Sequence, residues 1–471
     1  MPKQKSPALV PGRSHGPTRR DVLRTGAAAA LSAFAPGRAT AGKPVRPNFL
    51  FILCDELHID ALSAYGNSHV RTPNLDRLVR RGTSFMQSHS PNPICCPARS
   101  CLLTGRMSTE TSVTVNGVQQ LQGFGLPSTA IRWNHGEIIP TIPNMGQWFQ
   151  QQGYETVYCG KWHLPNNWAP NEIPGFTVLP VGGGEGAIVD PSTARATAAY
   201  LQSRTGPDPF LFVSSLMQPH DICYFAIYNQ NLIPKDLPTS ELEKLLPPLP
   251  SNHLSRPPAP QILDRSIYTK FSELQWRLYL YTYYRQVEML DATVGRIMDA
   301  LESSPHADNT IVIFTSDHGD GAAHHQHIEK WYPYDEALKV PLVISSPPRI
   351  ESGYRDQQHL VSGLDIISTM CDYAGIAAPP NARGYSLRPL LERKNVEWRD
   401  FVAAEVQVVG RVIRTPQYKY VRYHGDPVEQ LFDMQADPGE TQNLYADSRY
   451  ATVITDHRKL LNDWERKLIV Y

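Results

Sequence analysis

Four short runs, at 48–54, 156–159, 209–214 and 310–314, are rich in Val, Ile, Leu and Phe and are apolar at successive positions. A strand that is apolar on both faces needs helices above and below it, so such runs read as central strands of a parallel sheet. Each run leads into side chains with chemistry: Asp55-Glu56, Gly160-Lys161-Trp162-His163, His220, and Ser316-Asp317-His318-Gly319. In open α/β sheets ligands bind beyond the carboxyl ends of the strands, so four such ends predict one site built from distant segments. Amphipathic helices are expected over 72–81, with Thr72 as cap and Pro73 at the first helical position, over 141–151, and along Leu280-Tyr284-Val287-Leu290-Val294-Ile297-Leu301. Alternating strands and helices predict an α/β fold, a doubly wound and mostly parallel sheet sandwiched by helices.

The ends of the chain have a different texture. Thr18-Arg19-Arg20-Asp21-Val22-Leu23-Arg24, a weakly apolar stretch at 26–35 and Ala39-Thr40-Ala41 together look like a twin-arginine signal peptide, residues 1–41. The expected location is therefore periplasmic or secreted, through the twin-arginine export machinery. Removing 1–41 takes seven basic residues and one acidic one from 45 of each, leaving 38 against 44, a net −6. No basic stripe with interleaved aromatics is present, so no nucleic-acid partner is expected, and no run of about 18 apolar residues predicts a membrane span in the mature chain. Beyond residue 385 short strand-like pieces at 401–406, 410–414 and 418–423 precede a final helix at 449–468. This reads as a smaller C-terminal α+β subdomain with an antiparallel sheet, residues 386–471, after a catalytic domain at 42–385.

Other segments carry less. Eight prolines between 234 and 260 exclude a packed helix or central strand and predict an extended surface loop, placed after His220 where it could wall a pocket and set substrate choice. The glycines of 182–186 predict a flexible loop, and His324, His325 and His327 a solvent-facing one. The seven cysteines (54, 95, 96, 101, 159, 223 and 371) are odd in number and show no C-x-x-C spacing, which argues against both a disulfide framework and a zinc site. Cys54 and Cys159 read as small core residues, Cys96 and Cys101 as helix-packing or incidental thiols.

The segment Cys95-Cys96-Pro97-Ala98-Arg99-Ser100-Cys101-Leu102-Leu103-Thr104-Gly105 has the form C-x-P-x-R-x-x-x-L-T-G. It resembles the signature of the type I, formylglycine-dependent sulfatases of the alkaline phosphatase superfamily, with Ala98 where Ser is common. Gly160-Lys161-Trp162-His163-Leu164 matches the same family. So does the segment from Tyr334 to Pro341, with Lys339 where Arg is usual, and so does Leu431-Phe432-Asp433-Met434 followed by Asp437-Pro438 and Asn443-Leu444. The resemblance thus spans nearly the whole mature chain.

The resemblance implies that Cys95 is oxidised to formylglycine (3-oxoalanine) by a maturation enzyme before the folded protein is exported. The aldehyde hydrate is then the nucleophile, and its second hydroxyl lets sulfate leave when the aldehyde reforms. It implies one Ca2+ held by Asp55, Glu56, Asp317 and His318 with residue 95, which agrees with a hard cation's preference for oxygen ligands. Glu56 stands where Asp or Gln is more usual. By the same resemblance Arg99 acts on the hydrate, Lys161 and Lys330 on sulfate oxygens, and His163 as the base that breaks the hemiacetal. His220 binds sulfate and, with Lys330, supplies the leaving-group proton. The leading expectation is a sulfuric ester hydrolase acting on a sulfate monoester, on a sulfated saccharide rather than an arene, with motif spacing closest to iduronate sulfatase and its glycan-directed relatives. A phosphonate monoester hydrolase or phosphodiesterase using the same nucleophile is one alternative. A non-catalytic sulfated-glycan-binding relative is another, although a binding module has no need of an oxidisable Cys beside a cation cage.

Overall fold

The four apolar runs form four adjacent parallel strands. In chain order the first ten strands are β1 (Asn48–Asp55), β2 (Thr83–Phe85), β3 (Ser88–His89), β4 (Glu155–Gly160), β5 (Thr177–Leu179), β6 (Phe210–Pro219), β7 (Thr310–Ser316), β8 (Leu342–Ser345), β9 (Tyr354–Asp356) and β10 (Val361–Ser362). Eight of them make one sheet in the order β5-β4-β6-β1-β7-β8-β2-β9, while β3 and β10 pair separately. The pairs β4·β5, β4·β6, β1·β6, β1·β7 and β2·β9 are parallel, and only β7·β8 and β2·β8 are antiparallel. This computed structural model describes residues 46–116, 137–164, 169–228, 243–260, 263 and 271–469, so the 1–41 leader and positions 234–242 of the proline-rich segment lie outside the described residues.

Alternation along β1 explains the sandwich. Leu50, Ile52 and Cys54 enter a core with Leu75, Leu78 and Val79 of the Pro73–Arg81 helix and with Tyr283, Val287 and Leu290 of the Glu273–Glu302 helix. Phe49, Phe51 and Leu53 enter a second core with Leu102, Phe149, Ile366 and Ile367 from helices on the other face. A fully buried side chain of this kind contributes about 1.5–3 kcal/mol, so a polar substitution within β1 damages one core or the other. Thr72 does not cap its helix: its hydroxyl donates to Asp76 and bonds Ser63 instead. The expected 141–151 helix is confined to Met145–Gln151 because Asn144 and Gln147 form a reciprocal cap.

The C-terminal strands β11 (Val402–Val406), β12 (Gly410–Arg414), β13 (Tyr418–Tyr423) and β14 (Gln430–Asp433) form an antiparallel meander. Its faces alternate like those of β1. Ile413, Tyr420 and Leu431 pack on Ile454 and Leu461 of the Ala451–Glu465 helix, while Val412, Val421 and Phe432 pack on Tyr332, Tyr334 and Leu338. The small sheet therefore supports the loop that carries Lys330.

Three loop expectations change. Gly186 opens a helix, Gly186–Ser203, whose first N–H groups are capped from outside by the Asp221 carboxylate, so only 182–185 remain loop. His325 and His327 are buried rather than solvent-facing, stacked on Tyr334 and Tyr332 with ring centroids 4.4 and 3.7 Å apart. In the described part of the proline-rich segment, Asn252 and His253 are buried too. Asn252 Oδ1 bonds the His324 ring and His253 Nδ1 the Ala323 carbonyl, so this surface stretch, with Leu245 and Leu254 exposed, is pinned to the body at two buried residues.

Candidate active site

Cys95 is the first residue of the Cys95–Thr104 helix, and no side chain caps that helix at Ile94. Pro97 fits there because a proline in the first turn forfeits an N–H that has no intrahelical acceptor. Asn116 Oδ1 accepts from the Cys96 N–H at 2.9 Å, and Gly105 ends the helix in the left-handed conformation. The Cys95 sulfur thus sits at the positive end of a helix, aimed at the carboxyl edge of the sheet.

The expected strand ends converge on it. His318 Nε2 lies 3.1 Å from Cys95 Sγ and Asp55 Oδ1 lies 3.8 Å away. Asp55, Cys95, Asp317 and His318 are fully buried and each offers a ligand atom within 4.8 Å of the others. Gly319 follows because a Cβ there would meet the Glu336 carbonyl at 1.9 Å. Gly160, with φ +99, lets the chain turn beside Ser215, where a Cβ would lie 1.9 Å from the Ser215 carbonyl, and so directs Lys161 inward.

Lys161 Nζ reaches Asp55 Oδ2 at 2.6 Å. Arg99, one helical turn after Cys95, donates from Nε to Asp317 Oδ2 at 2.8 Å and from Nη2 to Asp55 Oδ2 at 2.9 Å. Its Nη1 serves the Lys161 carbonyl and Ser215 Oγ. Every nitrogen of the guanidinium is therefore engaged, Nε and Nη2 by the two aspartates and Nη1 by Lys161 and Ser215. The resemblance assigns Arg99 to the hydrate; in the structure its guanidinium holds the two aspartates that flank Cys95. Ser215 and Tyr158, whose hydroxyl donates to the Lys161 carbonyl at 2.6 Å, complete that brace, and neither carried a sequence signal beyond lying in a strand.

Glu56 turns away from the aspartates. Its φ is +69, and its Oε2 accepts from Lys330 Nζ at 2.8 Å and from the Cys223 thiol at 3.1 Å, with His220 Nε2 at 4.0 Å. Glu56, His220 and Cys223 form a second group of possible ligand atoms, but the Lys330 ammonium, 3.7 Å from Cys223 Sγ, already supplies the positive charge there. So the acidic pair divides between two adjoining clusters, Asp55 with Asp317 and His318, and Glu56 Oε2 with Lys330 and Cys223.

The charges follow from burial and neighbours. Burial pushes Asp55 up, but Lys161 and then His220 and Arg99 hold it well below the usual carboxylate range. Asp317, buried and facing Asp55, is pushed up to about 7. Burial and Asp55 oppose ionisation of Cys95, yet Lys330, Lys161 and His318 bring the thiol well below its ordinary value. Burial and Lys161 depress His163 to about 4, and burial with Lys161 and Lys330 depresses His220, so both are neutral near pH 7. Burial opposes charge on His318, but Asp317 and the Cys95 sulfur lift it to about 10. Two buried carboxylates facing one another, with an imidazole nitrogen and a sulfur converging on the same point, fit a hard divalent cation that would displace that proton.

Residues 47–376 match the family described as Sulfatase, and 323–467 match the one described as N-sulphoglucosamine sulphohydrolase, C-terminal. A Delta 4,5-hexuronate-2-O-sulfatase of Bacteroides thetaiotaomicron is 31% identical over 457 residues, 90% of each chain. Among solved structures, a 2-O GAG sulfatase superposes with a TM-score of 0.74 at 29% identity, covering 89% of this chain and 92% of the other. A phosphonate monoester hydrolase of Agrobacterium radiobacter, at 23% identity and a TM-score of 0.69 over 90% and 96% of the two chains, shares the fold. With the family match running through all four strand ends and the Cys95 helix, and with that identity along nine-tenths of its length, this chain belongs to the sulfatase family and is a sulfuric ester hydrolase.

Proposed function

We propose that the chain removes sulfate from a saccharide monoester, a 2-O-sulfated uronate of a glycosaminoglycan, using residue 95 as formylglycine and one bound calcium. The observation that carries the reading is the placement of Cys95 Sγ at a helix N-terminus, 3.1 Å from His318 Nε2 and within the Asp55–Asp317 pair. The saccharide class rests on the 2-O-sulfatases that resemble this chain along nearly all of its length. Asp55, Asp317 and His318 would hold the cation, which with the hydrated aldehyde supplies an acidified hydroxyl and neutralises sulfate oxygens.

The chain's own residues then divide the work. Arg99 fixes both aspartates, so the cradle is preorganised and no side chain has to move as charge develops. Lys161 and Lys330 bring ammonium groups close enough to lower the Cys95 thiol, where the peripheral sulfate oxygens would lie. His163, neutral and hydrogen-bonded to residue 95, is placed to take the proton whose loss expels sulfate. His220, neutral at the edge of the Glu56–Lys330 cluster, is placed to hydrogen-bond sulfate through its ring N–H, and the Lys330 ammonium beside it to protonate the departing sugar oxygen. Burial of all these groups strengthens each electrostatic contact.

Oxidation of residue 95 in the cytosol by a maturation enzyme and twin-arginine export of the folded protein complete the proposal. The mass of the peptide containing residue 95 tests the nucleophile: loss of sulfur and gain of an aldehyde supports it, and an intact thiol in active exported protein refutes it. Turnover of a 2-O-sulfated uronyl disaccharide against a phosphonate monoester separates the sulfatase reading from the hydrolase that shares its fold. Cation content with no turnover of any sulfated saccharide would instead mark a binding protein.

A further inference from the structure

We infer that Glu329 is a specificity-determining residue whose carboxylate accepts a hydrogen bond from the sugar hydroxyl vicinal to the sulfate ester and excludes a second sulfate from that position. The inference rests on the saccharide reading and on the place of Lys330 at the departing sugar oxygen. Glu329 directly precedes Lys330 and is only 7% exposed, and its Oε1 is buried with no hydrogen-bond partner among the described residues. A carboxylate buried without a partner costs stability, so its presence calls for a partner that the fold itself does not supply.

The main chain shows that this placement is held. Ala322, Ala323, His325, Gln326, Glu329 and Trp331 all lie at positive φ, a concentration of strained residues on one loop that persists only when the surroundings fix it. At Glu329, φ +61, the N–H donates to the Tyr279 hydroxyl at 3.3 Å and the carbonyl accepts from the Gly321 N–H at 2.6 Å. That hydroxyl is itself fixed by donating to Asp320 at 2.8 Å. Two residues on, the Trp331 N–H donates to the Pro93 carbonyl at 3.2 Å, and the Trp331 carbonyl accepts from Gln407 Nε2 at 3.5 Å. The loop is thus anchored to the Glu273–Glu302 helix, to the segment leading into Cys95 and to the β11–β12 turn of the meander. Its backbone is pinned on three sides while the Glu329 carboxylate is left open.

The electrostatics place that carboxylate at the reacting centre. Burial pushes it up to about 7 against the pull of Lys330, and Glu56 and the Cys95 sulfur add to the rise. An ammonium that serves the departing oxygen and a carboxylate on the preceding residue of one fixed loop face neighbouring substituents of a sugar ring. A hydroxyl there satisfies the carboxylate, whereas a sulfate would set two anions together in a site of low dielectric. In a 2-O-sulfated uronyl disaccharide the hydroxyl is the one on C3, because the oxygen on C1 lies in the glycosidic bond and has no hydrogen to give.

The test compares kcat/KM on a 2-O-sulfated uronyl disaccharide with a free 3-hydroxyl, on its 3-deoxy and 2,3-di-O-sulfated analogues, and on 4-nitrophenyl sulfate, which has no vicinal hydroxyl. The wild type should favour the 3-hydroxyl over the 3-deoxy substrate by about 10- to 100-fold, as expected for a hydrogen bond to a charged group. Glu329→Ala should bring that ratio to within about threefold of unity and leave nitrophenyl sulfate within about threefold of the wild type. Glu329→Gln keeps an acceptor oxygen and gains a donor, so it should retain part of the preference and release the 2-sulfate of the disulfate about tenfold faster than the wild type, or more. It should also melt no lower than the wild type, since it removes a buried charge without a partner.

Equal kcat/KM for the 3-hydroxyl and 3-deoxy substrates in the wild type overturns the inference, and so does a preference that survives Glu329→Ala. Losses of one size on every ester in Glu329→Ala, nitrophenyl sulfate included, overturn it as well, because a residue that reads the vicinal position cannot be felt by an ester that lacks one. A wild type that cleaves nitrophenyl sulfate but no 2-O-sulfated uronyl disaccharide refutes the saccharide reading and the inference with it. Should Glu329→Ala fail to melt cooperatively, the wild-type ratio and Glu329→Gln decide by the same readouts.

Discussion

Two histidine-bearing turns lie within ten residues of each other after β7, and they do opposite things. In Ser316-Asp317-His318-Gly319 the imidazole of His318 faces Cys95 and two aspartates. In the His324–His327 turn, which looks richer in ligands on paper, His325 and His327 lie flat against Tyr334 and Tyr332, and His324 pairs with Glu336 at 2.9 Å. Both turns are largely buried, so burial does not separate them. The facing groups do: carboxylates and sulfur offer a candidate cation site, whereas aromatic faces make a strut between the large sheet and the C-terminal meander.

The sharpest way to break this contrast is to disable each turn. Asp317→Asn and Cys95→Ala should each lower kcat by roughly 10³-fold or more, since each removes a group at the reacting centre. His327→Phe, which keeps a ring on Tyr332, should leave kcat within about threefold; an equal loss there would mean that the second turn is part of the chemistry. Calcium removal gives the next effect. At calcium about 100-fold above its dissociation constant, binding stabilises the native protein by about 2.7 kcal/mol, so chelation should lower the melting temperature of the wild type and of His327→Phe but not of Asp317→Asn. Binding should also tighten as pH rises from 6 to 8, because protons held by Asp317 near 7 and by His318 near 10 must leave.

Acid offers a smaller and more selective probe. Burial holds His327 at about 3, below its unfolded value of about 6.5, so the unfolded chain binds the extra proton. The stability that His327 contributes is complete above pH 6.5 and is lost as pH falls through 3, with about 2 kcal/mol gone by pH 5. His327→Phe should therefore unfold at lower pH than the wild type in a circular-dichroism titration, and an unchanged acid midpoint would show that this ring is not the sensitive one. The smallest expected change is in Lys339→Arg, which restores the residue usual in the family and should alter kcat by less than about twofold.

Much of the site was legible because its residues sit at strand ends. Asp55, Lys161, His163, His220, Asp317 and His318 follow runs whose apolar character on both faces identifies central parallel strands. The path of the chain past those ends was not legible. The left-handed turn at Glu56 depends on Asp317 and Tyr283, which are more than 200 residues away. The engagement of Arg99 depends on Ser215 and on two aspartates from separate strands. The start of the Gly186–Ser203 helix is not legible either, because its cap, Asp221, lies beyond β6 and not ahead of the helix.

By itself the sequence determined the sheet, the nucleophile's spacing and the identity of the groups gathered at its edge, because strand pattern and helix spacing are local properties written in side-chain order. Only the tertiary structure decided which carboxylate faces which cation. That choice is a matter of ångströms between segments hundreds of residues apart, where burial makes each pairing too strong to be left to chance and too distant to be read along the chain.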